Sequence, residues 1–577
     1  MLRNWIFAAV AAALLLVGCS EDKPVPRYDT LIKGGTIYDG FGGAPYGADV
    51  GIRGDKIAAI GDLSGAEADT IIDASGKAVS PGFINMLSWA VTSLLHDGRA
   101  LSDLKQGVTL EVFGEGSSLG PLGAEGKKFW SEDPYRDQTY AVTWDTLGGY
   151  LEHLEDKGVS PNVASFVGAT TIRTNQLGAE DRAPTATELE AMKAEVATAM
   201  EEGALGLGSS LIYAPAFYAK TDELIALAKV VARYDGMYIS HMRSEGSRFL
   251  EALEELITIA REAGVAAEVY HLKAAGKSNW PKMAAAIERI EAARAEGLQI
   301  TADMYSYQAG ATGLDAAMPP WVQEGGYDEW VKRLKDPVIR AQVKAEMKTP
   351  TDAWENLMLA AGPEGMLLAG FKNPDLRHLV GKRLSAVAAS RGQDPEDVAM
   401  DLVIEDGSRV GTIYFLMSKE NMLRQAALPW LSFGSDSAAY DPALDAPFGN
   451  PHPRGYGNFA RVLGLFVREE QVMPLEEAIR KLTHLPASNL KLKGRGSLKV
   501  GHYADVVVFD PATIQDHATF EAPHALATGV EHVLVNGAQV IKAGEHTGAT
   551  PGKVVRGPGW TGWQEAKART ADKIAAQ

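Results

Sequence analysis

Short apolar runs alternating with long amphipathic stretches fill the middle of this chain, and that alternation restricts the possible fold more than any other feature. Ala216 to Tyr234 carries Leu224, Leu227, Val230 and Val231 on one stripe, and Ser247 to Gly264 carries Leu250, Leu253, Ile257 and Ile259. This is the spacing of helices that bury one face. Around such stretches lie strand-like runs: Val79 to Met86, Val108 to Phe113, Val163 to Val167, Ala204 to Ser209, Met237 to Ser240, Ala266 to Tyr270, Gln299 to Met304 and Trp430 to Gly434. Strands that alternate with helices imply a parallel sheet with crossover connections. Eight such units suffice for an α/β fold of the (β/α)8 TIM type, whose functional groups gather at the C-terminal ends of the strands. A doubly wound open sheet is the competing topology, but it gives no reason for polar residues to end so many successive strands.

The two ends of the chain have a different texture. Asp29 to Ile72 consists of short β-rich runs broken by glycine, and β-rich text returns at Ala504 to Phe509 and at Val533 to Ile541, where Asn536-Gly537 marks a hairpin turn. We expect one β-sandwich domain built from 27–78 and 495–555, enclosing a barrel over 79–494. The Trp- and Pro-rich stretch from about 308 to 409 interrupts the alternation and reads as an insertion able to cap the barrel mouth.

Residues 1–19 combine a charged start, Met1-Leu2-Arg3-Asn4, with an apolar run from Trp5 to Val17 that is too short to span a bilayer. The run ends in Leu16-Val17-Gly18-Cys19, similar to a bacterial lipobox, so Cys19 is the expected lipidation site of an envelope lipoprotein facing the periplasm. Ser20 follows it, which favours the outer membrane. Cys19 is the only cysteine of the 577 residues, so neither an internal disulfide nor a thiolate ligand is available to the folded body. The formal charge of −18 is spread along the chain, without the basic stripe that nucleic acid requires.

His241 and His271 each close a candidate strand and lie thirty residues apart, one βα unit. Both therefore face the same barrel mouth. Asp303 and Asp436 end two further strands, and Glu115 lies just past another, in Gly114-Glu115-Gly116. Imidazoles and carboxylates converging from different strands suit Zn²⁺ and leave a carboxylate to carry protons. The two glycines around Glu115 lack the third glycine of a dinucleotide fingerprint, because Leu119 stands at that position.

Several segments together resemble the amidohydrolases, and within them the N-acyl-D-amino-acid deacylases. They are Val79-Ser80-Pro81-Gly82-Phe83-Ile84, Gly203-Ala204-Leu205-Gly206-Leu207 with Leu211-Ile212-Tyr213-Ala214-Pro215, Ser240-His241-Met242-Arg243-Ser244-Glu245, His271-Leu272-Lys273-Ala274, Pro453-Arg454-Gly455-Tyr456-Gly457 and Gly501-His502-Tyr503-Ala504-Asp505. The resemblance implies hydrolysis of the amide bond of N-acyl-D-amino acids. Its implied site is one Zn²⁺ on Glu115, His241 and His271, with Glu111 as the alternative carboxylate and Asp436 as the proton carrier. Lys273, Arg424, Tyr305 and Tyr213 are implied for the substrate's carboxylate, whereas His452 and Arg454 are read as structural. The chain departs from the family at one place: the usual His-x-His after the first strand is replaced by Leu87 and Trp89. Two other readings remain, a periplasmic dipeptidase or cyclic-amide hydrolase on the same scaffold, and a lipoprotein that keeps the barrel only for binding. His241, His271 and Asp436 together argue against the second, since a pure binder needs none of them.

Overall fold

The computed structural model describes residues 25–131, 140–445 and 449–563, so the expected leader and Cys19 lie outside the described residues. Eight parallel strand positions line up in chain order: Phe83–Asn85, Val108–Phe113, Asn162–Ser165 continued by Val167–Gly168, Gly206–Ser210, Met237–His241, Ala266–Val269, Ile300–Met304 and Leu431–Phe433. The third strand is interrupted at Phe166, whose N–H still donates to Phe113 O at 2.8 Å. Closure runs from last strand to first. Met86 N donates to Phe433 O at 3.3 Å, Asp436 N donates to Leu87 O at 2.8 Å, and Ser88 bridges Ser437 in parallel register. These contacts make a closed (β/α)8 barrel of the α/β class, and all eight expected strands lie in it.

The crossover helices follow the apolar stripes with small shifts at their ends. Ala216 to Tyr234 divides into a 3₁₀ turn, Ala216–Tyr218, and the helix Thr221–Arg233, which buries Leu224, Leu227, Val230 and Val231. The helix Phe249–Ala263 buries Leu253, Leu256, Ile257 and Ile259, and stops at Gly264, whose φ of +64° is the left-handed cap that glycine adopts cheaply.

Strands from both chain ends join in one nine-stranded sheet running from Glu545–His546 through Val506–Phe509, Ala78–Pro81 and Arg27–Ile37 to Lys56–Gly61. The strand Arg27–Ile37 pairs with both Glu67–Asp73 and Ala78–Pro81, which branches the sheet. Its halves share a core of Ile32, Ile37, Val50, Ile52, Val79, Val506 and Leu534. The insertion has its own three-stranded antiparallel sheet, Ala309–Gly313, Met366–Gly370 and Gly411–Phe415, so it runs past the expected boundary at residue 409. A separate apolar core around Leu314, Met318, Trp330, Val343, Leu384 and Val403 supports it.

One buried ion pair ties the helical layer together. Arg173, on the helix Ala169–Leu177, is 1% exposed, and its Nη1 lies 2.6 Å from Glu223 Oε2 on the helix Thr221–Arg233. A second nitrogen donates to Arg182 O at 2.6 Å. Removing one partner strands the other charge out of water, at a cost of about 3–5 kcal/mol, whereas replacing both with apolar residues is often nearly neutral. Arg173→Met should therefore lower the urea midpoint strongly. Arg173→Met/Glu223→Leu should recover most of the loss, and a double variant no more stable than the single one would refute this account.

Candidate metal centre at the barrel mouth

Glu115 reaches the mouth because its flanking glycines bend the chain sharply after the second strand. Gly114 has φ +109° and Gly116 φ +72°, and a side chain at Gly114 would put its Cβ 2.4 Å from Phe166 O. His241 is the last residue of the fifth strand, and His271 follows the sixth. His271 has φ +35°, a conformation rarely adopted by a non-glycine residue. Its backbone N–H donates to Asp303 Oδ1 at 2.8 Å, so Asp303 at the end of the seventh strand acts here as a clamp on the His271 backbone.

The three side chains converge on one oxygen. Glu115 Oε1 lies 2.9 Å from His241 Nδ1 and 3.0 Å from His271 Nε2, and ligand atoms of all three residues fall within 4.8 Å of one another. Burial opposes charge on Glu115, yet the hydrogen bonds from both histidines hold its carboxyl well below the usual range. The other oxygen, Oε2, accepts the Trp89 indole N–H at 2.8 Å.

An outer layer orients the rings. Lys273 Nζ lies 2.6 Å from Glu245 Oε1 and 2.7 Å from His271 Nδ1, and Glu245 Oε1 is 3.1 Å from the same ring nitrogen. Burial works against charge on Glu245, but Lys273 holds its carboxyl down at about 2. The insertion adds Glu355, which accepts from the Glu245 backbone N–H and whose carboxyl is pushed up to about 7 by burial and by the Glu245 charge.

Two imidazoles and a carboxylate, all nearly dry, form a donor set that suits Zn²⁺. His241 Nε2 is buried without a hydrogen-bond partner among the described residues, although most buried ring nitrogens are satisfied. The residues therefore fit a zinc site, with Glu245 and Lys273 in the positions from which neighbours fix the orientation of metal-binding imidazoles.

Asp436 stands beside this group with φ +50°, its N–H tied to Leu87 O. Burial pushes its carboxyl upward, and Arg454 pulls the other way. Arg454 is 3% exposed, and its Nη1 lies 2.8 Å from Asp436 Oδ2 but off the hydrogen-bond axis, which leaves Nη1 and Nε without aligned acceptors. Its guanidinium covers the Tyr305 ring at 4.5 Å, while Lys273 Nζ lies 5.7 Å from that ring and the buried Tyr305 hydroxyl has no hydrogen-bond partner among the described residues. Tyr213 meets the His241 ring edge-on at 5.4 Å, under the guanidinium of Arg409 from the insertion.

Two expectations need correction. Arg424 does not reach the mouth. The helix Lys419–Ala426 turns Asn421, Met422, Gln425 and Ala426 inward, leaving Arg424 45% exposed and paired with Glu420. The guanidinium at the site is that of Arg454, read from the sequence as structural. His452 does have a structural part, with Nε2 against Ala309 O and Nδ1 accepting from the Arg454 N–H. Glu111, the alternative carboxylate, sits deeper in the barrel against Asn85, away from the two histidines.

Residues 70–541 match the model of the amidohydrolase family. The chain is 35% identical to a D-aminoacylase of Alcaligenes xylosoxydans xylosoxydans, over 93% of this chain and 98% of that one. It is similar to the structure of an N-acyl-D-glutamate deacylase from Bordetella bronchiseptica bound to zinc and a phosphonate mimic of the tetrahedral intermediate. That match has 31% identity and a TM-score of 0.77, and covers 92% of this chain and 100% of the other. A D-aminoacylase with a binuclear metal centre, activated by one metal and attenuated by the second, matches at 34% identity and a TM-score of 0.77, with the same coverage.

Because outer-layer partners tune metal affinity by about 10–100-fold, Glu245→Gln should weaken zinc binding by that factor in competition with a chromophoric chelator, while circular dichroism stays unchanged. Unaltered affinity would separate Glu245 from the metal centre.

Proposed function

The chain belongs to the amidohydrolase family, and on that premise we propose that it hydrolyses the amide bond of N-acyl-D-amino acids, releasing a carboxylate and the free D-amino acid. The observation that carries this reading is the placement of Asp436 and Arg454 beside the Glu115, His241 and His271 donor set in one dry pocket mouth. Zinc, when bound by those three residues, supplies Lewis acidity that lowers the pKa of water and polarises a carbonyl.

The chain's own groups account for the rest. Asp436 accepts a proton from the attacking water as the water oxygen bonds to the acyl carbon. It then returns that proton to the amide nitrogen as the C–N bond breaks, because an amine is too basic to leave unprotonated. Its burial supports this role, since a carboxyl shifted upward takes up a proton more readily than an exposed one. Arg454 Nε and Nη1 and the Tyr305 hydroxyl, which have no hydrogen-bond partner among the described residues, form the place for the substrate's α-carboxylate. Lys273 contributes positive potential from behind His271, and Tyr213 borders the opposite side. The D preference rests on the deacylase relatives.

We further propose, from Leu16-Val17-Gly18-Cys19, that Cys19 carries the lipid of an envelope lipoprotein facing the periplasm, most consistent with the outer membrane. Loss of labelled-palmitate incorporation in Cys19→Ser would support it, and unchanged labelling would refute it.

Amine release from N-acetyl-D- and N-acetyl-L-amino acids, with zinc present and after chelation, tests the activity. Zinc-dependent turnover confined to the D series is expected, and turnover only of L-dipeptides or cyclic amides would overturn the reading. Asp436→Asn should lower kcat by about 10²–10⁴-fold with zinc content intact. Arg454→Met should act mainly on KM, and Arg424→Ala should leave both constants unchanged.

A further inference from the structure

We propose that this chain holds a single zinc ion, and that Trp89 closes the position a second ion would need. The inference rests on the metal-centre reading above and concerns residues that reading does not use. A second cation beside the first must find oxygen ligands at the mouth, where Glu245 is held by Lys273, Asp303 gives Oδ1 to the His271 N–H, and the other carboxylates are Glu115 and Asp436. The first is hydrogen-bonded and the second faces a buried cation. Glu115 Oε2 accepts the Trp89 indole N–H at 2.8 Å, and Asp436 Oδ2 lies 2.8 Å from the Arg454 guanidinium.

The indole is not a loosely placed group. The Trp89 backbone N–H donates to Ser437 O at 2.9 Å, Ser88 N donates to Val112 O at 2.9 Å, and Ser88 bridges Ser437, so the loop after the first strand is fastened to the second and eighth strands. To free Glu115 Oε2, the indole would have to leave this seat, and its partly buried N–H would lose its acceptor.

Leu87 supplies no replacement ligand. It is fully buried against Gly434, where an added Cβ would lie 2.7 Å from the Leu87 Cβ, and its aliphatic side chain offers no ligand atom. Among the described residues, Glu115, His241 and His271 form the one group of three potential metal ligands found within such close range. Charge acts in the same direction, since a second dication near Asp436 would be brought up against the buried Arg454 cation. The consequence for function is a contrast with the D-aminoacylase described above, whose second metal attenuates it. Excess zinc should not slow this chain.

The test is metal stoichiometry. The full chain is equilibrated with excess zinc, separated from free ion, and its zinc per chain measured by plasma mass spectrometry, alongside the rate of N-acetyl-D-amino-acid hydrolysis across rising zinc. One zinc per chain and a flat rate are expected. Two zinc ions per chain would overturn the single-ion proposal while leaving the metal centre intact, whereas none would overturn both. Leu87→His/Trp89→His, which replaces the blocking groups with ligands, should raise the content to two. If that variant keeps its circular dichroism and still binds one, Trp89 and Leu87 are not what excludes the second ion. The wild-type measurement stands by itself if the variant fails to fold.

Discussion

The site depends on one carboxylate shared three ways. Glu115 receives His241 and His271 on one oxygen and Trp89 on the other, so a single side chain joins the loops after the first, second, fifth and sixth strands. A charge this dry is tolerable only when it is fully paired, and it is the pairing that brings the two imidazoles within reach of one cation. The glycines on either side of Glu115 are the backbone condition for that arrangement, because at Gly114 a Cβ would collide with Phe166 O.

Around that centre, ionisable groups form a chain of contacts outward. Glu115 is followed by the two imidazoles, these by Lys273, and Lys273 by Glu245, with Glu355 of the insertion beyond. The His pairings of Glu115 and the Lys273 pairing of Glu245 are the opposite-charge contacts that let these groups occupy a small volume of low dielectric constant. The insertion thereby does more than cover the mouth. Glu355 and Arg409 place its own charges next to Glu245 and Tyr213, so the outer wall of the site belongs to a unit with a separate hydrophobic core.

Much of this was legible in the sequence because barrels translate sequence position into spatial position in a regular way. A residue that ends a strand faces the mouth, so His241, His271, Asp303 and Asp436 could be placed from periodicity and spacing alone. Arg424 was misplaced for want of a helix phase. Asn421, Met422, Gln425 and Ala426 define the buried stripe of its short helix, and Arg424 falls off it. Arg454 was singled out with its motif but read as structural, since its role depends on packing over Tyr305 and beside Asp436, which belong to the seventh and eighth strand ends. No local pattern records a contact of that kind. The fate of Asp303 was equally hidden, because a strand-end carboxylate reads alike whether it meets a substrate or the backbone N–H of a strained histidine.

Trp89 shows how a departure from a family pattern acquires physical meaning. Read in isolation, an indole where a ligand is expected signals loss of function. In place, its N–H satisfies the second oxygen of Glu115, which would otherwise be a buried acceptor without a partner. Had position 89 become aliphatic, as position 87 has, that oxygen would attract either a second cation or a proton, and both would weaken the hold of Glu115 on the first ion. The tryptophan satisfies the second oxygen of Glu115, while the bonds from His241 and His271 on the first hold the carboxylate ionised. The substitution is therefore compatible with an intact single-metal site, and the same contact that blocks a second ion helps to preserve the first.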